Sequence, residues 1–181
     1  MSMRNALIVV VASALALWGA TARAELAAAQ PYGFVVSHKL VIAAPPERVW
    51  AALGRIGDWW ASEHAYSRDA HNLRLSLEVG GCWCEQLPGG GAARHMTVIA
   101  YQPGRILVLE GGLGPLGSPG APSGHLTFSL APDPKGAALS VTFEGGGLAN
   151  DGLAQWAPPI DRVLGEQAAR LKRYVESGRP D

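Results

Sequence analysis

The chain has 181 residues carrying 15 basic and 15 acidic side chains, so its formal charge is zero, and 48% of its residues are hydrophobic. That length fits one domain of ordinary size and that apolar fraction can fill a core. The balanced charge leaves no basic stripe for nucleic acid and no polybasic patch for anionic lipid.

The first residues are Arg4, an apolar run from Ala6 to Gly19, and Ala22-Arg23-Ala24 before Glu25. A positive start, a short apolar run and an A-x-A site follow the order of a secretory signal peptide. The run falls short of the ~20 residues of a comfortable membrane span. The sequence therefore predicts removal of residues 1–24, a periplasmic or secreted protein with a formal charge of −2, and no stable membrane insertion after cleavage. Residues 25–32 read as a loose N-terminal arm, and 33–178 as one domain.

Phe34 to Ala43 is rich in β-branched residues and reads as a strand ended by Pro45-Pro46. Pro46 suits the first position of a helix whose apolar stripe is Val49, Trp50 and Leu53, limited by Gly54 and Gly57. Trp59-Trp60 follow, then a polar loop from His64 to Asn72. Leu73, Leu75, Leu77 and Val79 alternate with polar residues, as in a half-buried strand. Cys82 to Leu87 and Ala93 to Tyr101, joined through Pro88 to Ala92, read as a hairpin, and Arg105 to Glu110 as another strand. Gly111 to Gly124 is rich in Gly and Pro and reads as a long loop. Strands centred on Phe128 and Val141 come next, and Pro158-Pro159 open a helix from about Ile160 to Glu176. Its apolar stripe of Ile160, Val163, Leu164, Ala168, Leu171 and Tyr174 suits a helix lying across a sheet. The fold class is α+β.

Several sequence signals reduce to structure. Gly112 to Gly117 matches G-x-G-x-x-G, but Ser118-Pro119-Gly120-Ala121-Pro122 cannot open the helix that a dinucleotide site requires, and no cofactor is expected. Ser118 lacks the spacing of a nucleophile elbow. His38 is in phase with the apolar positions of its strand and reads as a core histidine, while His125 falls out of phase and faces solvent. Cys82-Trp83-Cys84 allows three readings. The first is two small buried thiols packing as hydrophobes, which regular strand spacing of about 6.5–7 Å favours over a bridge. The second is a redox pair or distorted disulfide. The third is a metal pair, which no C-x-x-C spacing or nearby His doublet supports, so no metal is assigned.

The hairpin holds the candidate chemistry. If its turn centres on Gly90, Glu85 faces His95, Trp83 faces Thr97 and Cys84 faces Met96. A carboxylate beside a histidine fixes its tautomer and suits it to general acid/base work, so Glu85 and His95 are the candidate catalytic pair. Cys82, Cys84, Met96 and Val98 would form one face; Trp83, Glu85, His95, Thr97, Ile99 and Tyr101 the other. Which face lines the interior stays open: hydrophobicity favours the first, while burying Ile99 and Tyr101 favours the second.

The order of elements resembles that of the START/SRPBCC superfamily, the helix-grip fold of polyketide cyclases and heat-shock ATPase activator homologues. The resemblance rests on Val41 to Trp50 (VIAAPPERVW), Val79-Gly80-Gly81, Val98 to Arg105 (VIAYQPGR) and the terminal helix Val163 to Val175. It implies a curved antiparallel sheet of about seven strands around the long helix, with a cavity between them for an apolar or aromatic ligand. It carries over no common catalytic residue. Candidate ligand contacts are Trp59, Trp60, His64, Trp83, Tyr101, Leu113, Leu116 and Trp156, with Leu113 and Leu116 forming a lid tip. The expected function is binding of a small hydrophobic or aromatic ligand. The alternatives are a cyclase, dehydratase or hydrolase using Glu85 and His95, or a non-catalytic structural or interaction domain.

Overall fold

A computed structural model describes residues 24–113, 122–147 and 152–181. The expected signal peptide, apart from Ala24, and Leu116 lie outside the described residues. Eight strands form one antiparallel sheet: β1 (Ala24–Gln30), β2 (Gly33–Ile42), β3 (Leu73–Leu75), β4 (Cys82–Gln86), β5 (Ala92–Gln102), β6 (Ile106–Gly112), β7 (Ser123–Asp133) and β8 (Gly136–Gly146), in the order β1-β2-β8-β7-β6-β5-β4-β3. Helices α1 (Pro46–Leu53) and α2 (Ile56–Trp59) follow β2, and α3 (Ala157–Ser177) closes the chain. This is the curved sheet and long terminal helix of the helix-grip fold.

Two segments differ from their sequence expectation. Residues 25–32 are a strand through Gln30, with Ala29 opposite Phe34 and Glu25 opposite Ser37, so the sheet has an eighth strand in place of a loose arm. The strand expected from Leu73 to Val79 ends at Leu75, because Glu78–Gly81 turn to meet β5: Gly80 N–H donates to Val98 O and Val98 N–H to Gly81 O, both at 2.8 Å. A side chain at Gly81 would stand 2.2 Å from the Ser76 carbonyl oxygen, so this close turn requires glycine.

Along α3 the buried positions are Ala157, Ile160, Leu164, Gln167, Ala168, Leu171 and Val175, a stripe on the 3.6-residue period. Leu164 and Leu171 are fully buried, and each such side chain contributes about 1.5–3 kcal/mol relative to exposure. Polar clasps fix the helix against the sheet and the first helices. Lys172 Nζ donates to Val41 O at 2.6 Å, Ala43 N–H donates to Glu176 Oε1 at 2.7 Å, and Arg170 Nε–H donates to Trp59 O at 2.9 Å. His38 is buried, as its phase on β2 implies, and its Nε2 donates to Asp161 O at 3.0 Å.

Gly165 of α3 packs on that histidine: a Cβ there would lie 2.7 Å from His38 Cε1. Alanine would gain up to about 1 kcal/mol of helix propensity, but the ring is held by burial and by Asp161 and cannot swing away. Overpacking costs about 1–3 kcal/mol and wins. Gly165→Ala is therefore expected to lower the urea midpoint, whereas in a His38→Ala background the same change should raise it. Stabilisation in both backgrounds would refute the contact.

Candidate functional site

The sheet, the start of α3 and the irregular stretch after α2 line a half-open cavity of about 510 Å³. The segment after α2 supplies Trp60, His64 and Tyr66; the β4–β5 hairpin supplies Trp83 and His95; Leu113 comes from just beyond the end of β6. Trp156, Ile160, Val163 and Leu164 close the side formed by α3. The walls are mostly aromatic and aliphatic. Trp60 packs edge-on against both Trp59 and Trp83, with ring centroids 5.8 and 4.9 Å apart.

A bulge decides which face of the hairpin points inward. The β4–β5 ladder pairs Cys82 with Thr97 and Trp83 with Met96, then jumps to Cys84 with Arg94 and Glu85 with Ala93. The expected pairing of Glu85 with His95 and Cys84 with Met96 is therefore corrected: His95 is the extra residue of a β-bulge. Bulges re-aim side chains. Here Met96 and His95 both turn to the inner side, where Trp83 and Glu85 also lie, and Cys82 and Cys84 face outward. The two cysteines form a disulfide rather than packing as separate thiols. Their Cα atoms are 5.3 Å apart, closer than regular strand spacing and within bridging range.

Glu85 is fully buried behind His95, and every donor around it converges on its carboxylate. Its Oε1 accepts from Ser67 N–H at 2.5 Å; its Oε2 accepts from Tyr66 N–H at 3.0 Å and from His95 Nε2 at 2.9 Å. Burial pushes this carboxyl upward, but the hydrogen bonds from Ser67, Tyr66 and His95 outweigh it and hold the group below its ordinary value. An ionised carboxylate only accepts, so Nε2 of His95 carries the hydrogen. In the neutral ring Nδ1 then holds the lone pair. The imidazole lies between Tyr66 (centroids 4.6 Å, planes 22° apart) and Trp83 (5.5 Å, 35°). Burial and the Glu85 charge raise the Tyr66 phenol, keeping it protonated. Trp83 Nε1 is buried without a hydrogen-bond partner among the described residues.

Of the sequence candidates, Trp60, His64, Trp83, His95, Leu113 and Trp156 line the cavity, and Glu85 backs it. Trp59 does not: it is a core plug whose Nε1 donates to Ala52 O at 2.8 Å. Tyr101 does not either. A second bulge at Ile99 breaks the alternation of β5, and Tyr101 is 40% exposed and stacked on Trp50 of α1. The lid expected over Gly111 to Gly124 is described only at its ends, where Leu113 borders the cavity. The sequence reading missed Glu166, whose Oε2 lies 3.1 Å from His64 Nε2, and Gln167, whose buried Oε1 accepts from Ala61 N–H at 2.8 Å. Glu166 flanks the α3 stripe and Gln167 lies within it, and helical period alone does not reveal the distant partner of either polar group. Among the described residues no group of three His, Cys, Asp or Glu side chains converges to hold a metal ion.

Comparison with solved structures places the same fold in several proteins. CalU16 from Micromonospora echinospora is similar at 15% identity with a TM-score of 0.59, covering 89% of this chain and 87% of that one. The Aha1 dimer from Colwellia psychrerythraea is similar at 15% identity and TM-score 0.54, covering 80% and 97%. DynU16, from the dynemicin biosynthetic locus, is similar at 21% identity and TM-score 0.53, covering 81% of this chain and 48% of that one. At these identities the likeness is one of fold. No curated protein matches the sequence. Residues 34–176 match the family described as polyketide cyclase / dehydrase and lipid transport, and the chain belongs to that family of the SRPBCC superfamily.

Proposed function

We propose that this protein is an exported carrier or receptor for a small apolar or aromatic molecule held between the sheet and α3. The observation that carries the reading is the cavity of about 510 Å³ whose walls are Trp60, Trp83, Trp156 and the aliphatic face of α3. Apolar walls with a few placed polar groups are the usual build of a small-molecule site. Export rests on the pattern of residues 1–24; cleavage after Ala24 would leave Glu25 to Gln30 to pair with β2.

His95 supports a second reading, as an enzyme of the cyclase, dehydratase or hydrolase type. Its ring is oriented by Glu85, and a lone pair at Nδ1 could accept a proton from a bound substrate. Native mass spectrometry of protein taken from its own host is expected to show a retained small molecule, and the purified protein to bind N-phenyl-1-naphthylamine with quenching of Trp fluorescence. Absence of both would overturn the binding reading. His95→Gln separates the two: a carrier keeps its affinity within about twofold, whereas an enzyme keeps its affinity but loses turnover of the recovered molecule by about 100-fold or more.

A further inference from the structure

The Cys82–Cys84 disulfide stands on the outer face of β4, both residues half-buried, back to back with the cavity wall. It brackets Trp83, which is buried and lines the cavity, and it spans the step at which the β4–β5 ladder leaves His95 unpaired. Closing a loop with one intervening residue removes little entropy from the unfolded chain. What this bond fixes is therefore local: the bulge that aims Trp83 and His95.

Its surroundings are those of a reactive pair. Cys84 is the cross-strand partner of Arg74 on β3 and of Arg94 on β5. Directly paired residues share a face, and both arginines are exposed. Arg74 also donates from Nη1 to His71 O and Leu73 O, which holds its guanidinium at this edge of the sheet. The partner of Cys82 is the uncharged Thr97. Positive charge stabilises a departing thiolate, so Cys84 is the better leaving group and Cys82 the sulfur to be attacked.

We propose that Cys82–Cys84 is a thiol–disulfide exchange site for an external dithiol, and that its state sets ligand retention in the cavity. The proposal rests on the binding reading above and adds a regulation to it. A thiolate of the dithiol attacks Cys82 Sγ, the S–S bond breaks, and its electron pair leaves on Cys84 Sγ, on the face of the sheet that Cys84 shares with Arg74 and Arg94. The second thiolate of the dithiol then attacks its own sulfur in the mixed disulfide and releases Cys82. The dithiol ends as a disulfide, two electrons reside on the cysteines, and each thiolate takes a proton from water. Without the bond, β4 can relax to regular spacing opposite β5, and Trp83 and His95 lose the bulge that holds them inward.

The test uses the full mature chain, oxidised and then treated with dithiothreitol, with reduction followed by intact mass. On reduction, affinity for N-phenyl-1-naphthylamine is expected to fall about tenfold or more and intrinsic Trp fluorescence to shift, with both restored on reoxidation. Cys82→Ser/Cys84→Ser should match the reduced protein and ignore dithiothreitol. Arg94→Gln with Arg74→Gln should slow reduction several-fold while leaving the oxidised affinity intact. Confirmed reduction with unchanged affinity and fluorescence would overturn the proposal, as would a bond that resists dithiothreitol in the folded protein. If the oxidised chain binds no probe yet its fluorescence still shifts reversibly, the ligand reading fails and the exchange site stands.

Discussion

Replacing Glu85 with alanine is expected to destabilise the protein by about 3–5 kcal/mol, the usual cost of removing one member of a buried charged network. The magnitude follows from what is stranded. Tyr66 N–H and Ser67 N–H both aim at this carboxylate, and His95 Nε2 loses its acceptor at the same time. For a chain of this size that corresponds to a fall in melting temperature of roughly 10 °C. Glu85→Gln keeps the shape and can still accept the backbone bonds, so it should cost less than the alanine change. The pH dependence carries the sign. The carboxyl is held below its ordinary value of about 4.3 when folded, so its contribution is full above that value. It is lost as the pH falls through the lowered folded value, when the carboxyl must take up a proton. Urea midpoints of wild type and Glu85→Gln should therefore converge as the pH is taken below about 4. A difference that stays constant down to pH 2 would show that Glu85 acts through packing alone.

That network also marks where the sequence could be read and where it could not. The order of elements was legible because each had its own signal: period two in β7 and β8, Pro46 opening α1, and the 3.6-residue stripe of α3. β1 was not, because Glu25 to Gln30 (ELAAAQ) has neither alternation nor β-branched residues; it is a strand only because β2 offers a free edge. The contact between Glu85 and His95 was legible, although it was inferred from a register that does not occur. Regular pairing would have set the two opposite one another; a bulged His95 reaches the carboxylate from beside the ladder instead. Nothing in Ala92 to Thr97 announces a bulge, and one extra residue is enough to overturn the division of the hairpin into two faces. The same blindness misplaced Tyr101 beyond the second bulge and set the cysteines at the limit of bridging distance, so that separate thiols were favoured over the disulfide that forms. Polar atoms of α3 that turn toward the interior, such as Gln167 Oε1, depend on a partner 106 residues away and carry no local signature.

Filling the cavity should have the largest effect on binding. Val163 is half-buried on α3 and borders the open space, so Val163→Trp directs an indole into room already lined by Trp60, Trp83 and Trp156. A large side chain in a packed core overpacks and destabilises by about 1–3 kcal/mol. In an existing cavity it instead occupies unfilled volume and removes apolar surface from water, so stability should hold or rise. Affinity for N-phenyl-1-naphthylamine is expected to drop at least about 100-fold, or about 2.7 kcal/mol, because the indole and the probe compete for the same walls. Arg162→Trp, one residue earlier and exposed, serves as the control for adding an indole to this helix and should leave binding within about twofold. Loss of stability in Val163→Trp with unchanged affinity would place the probe elsewhere and turn that space into a packing defect. Loss of affinity with stability retained would tie ligand capture to the space between the sheet and α3. It would also count against a purely structural domain, which has no use for a cavity that an indole can fill.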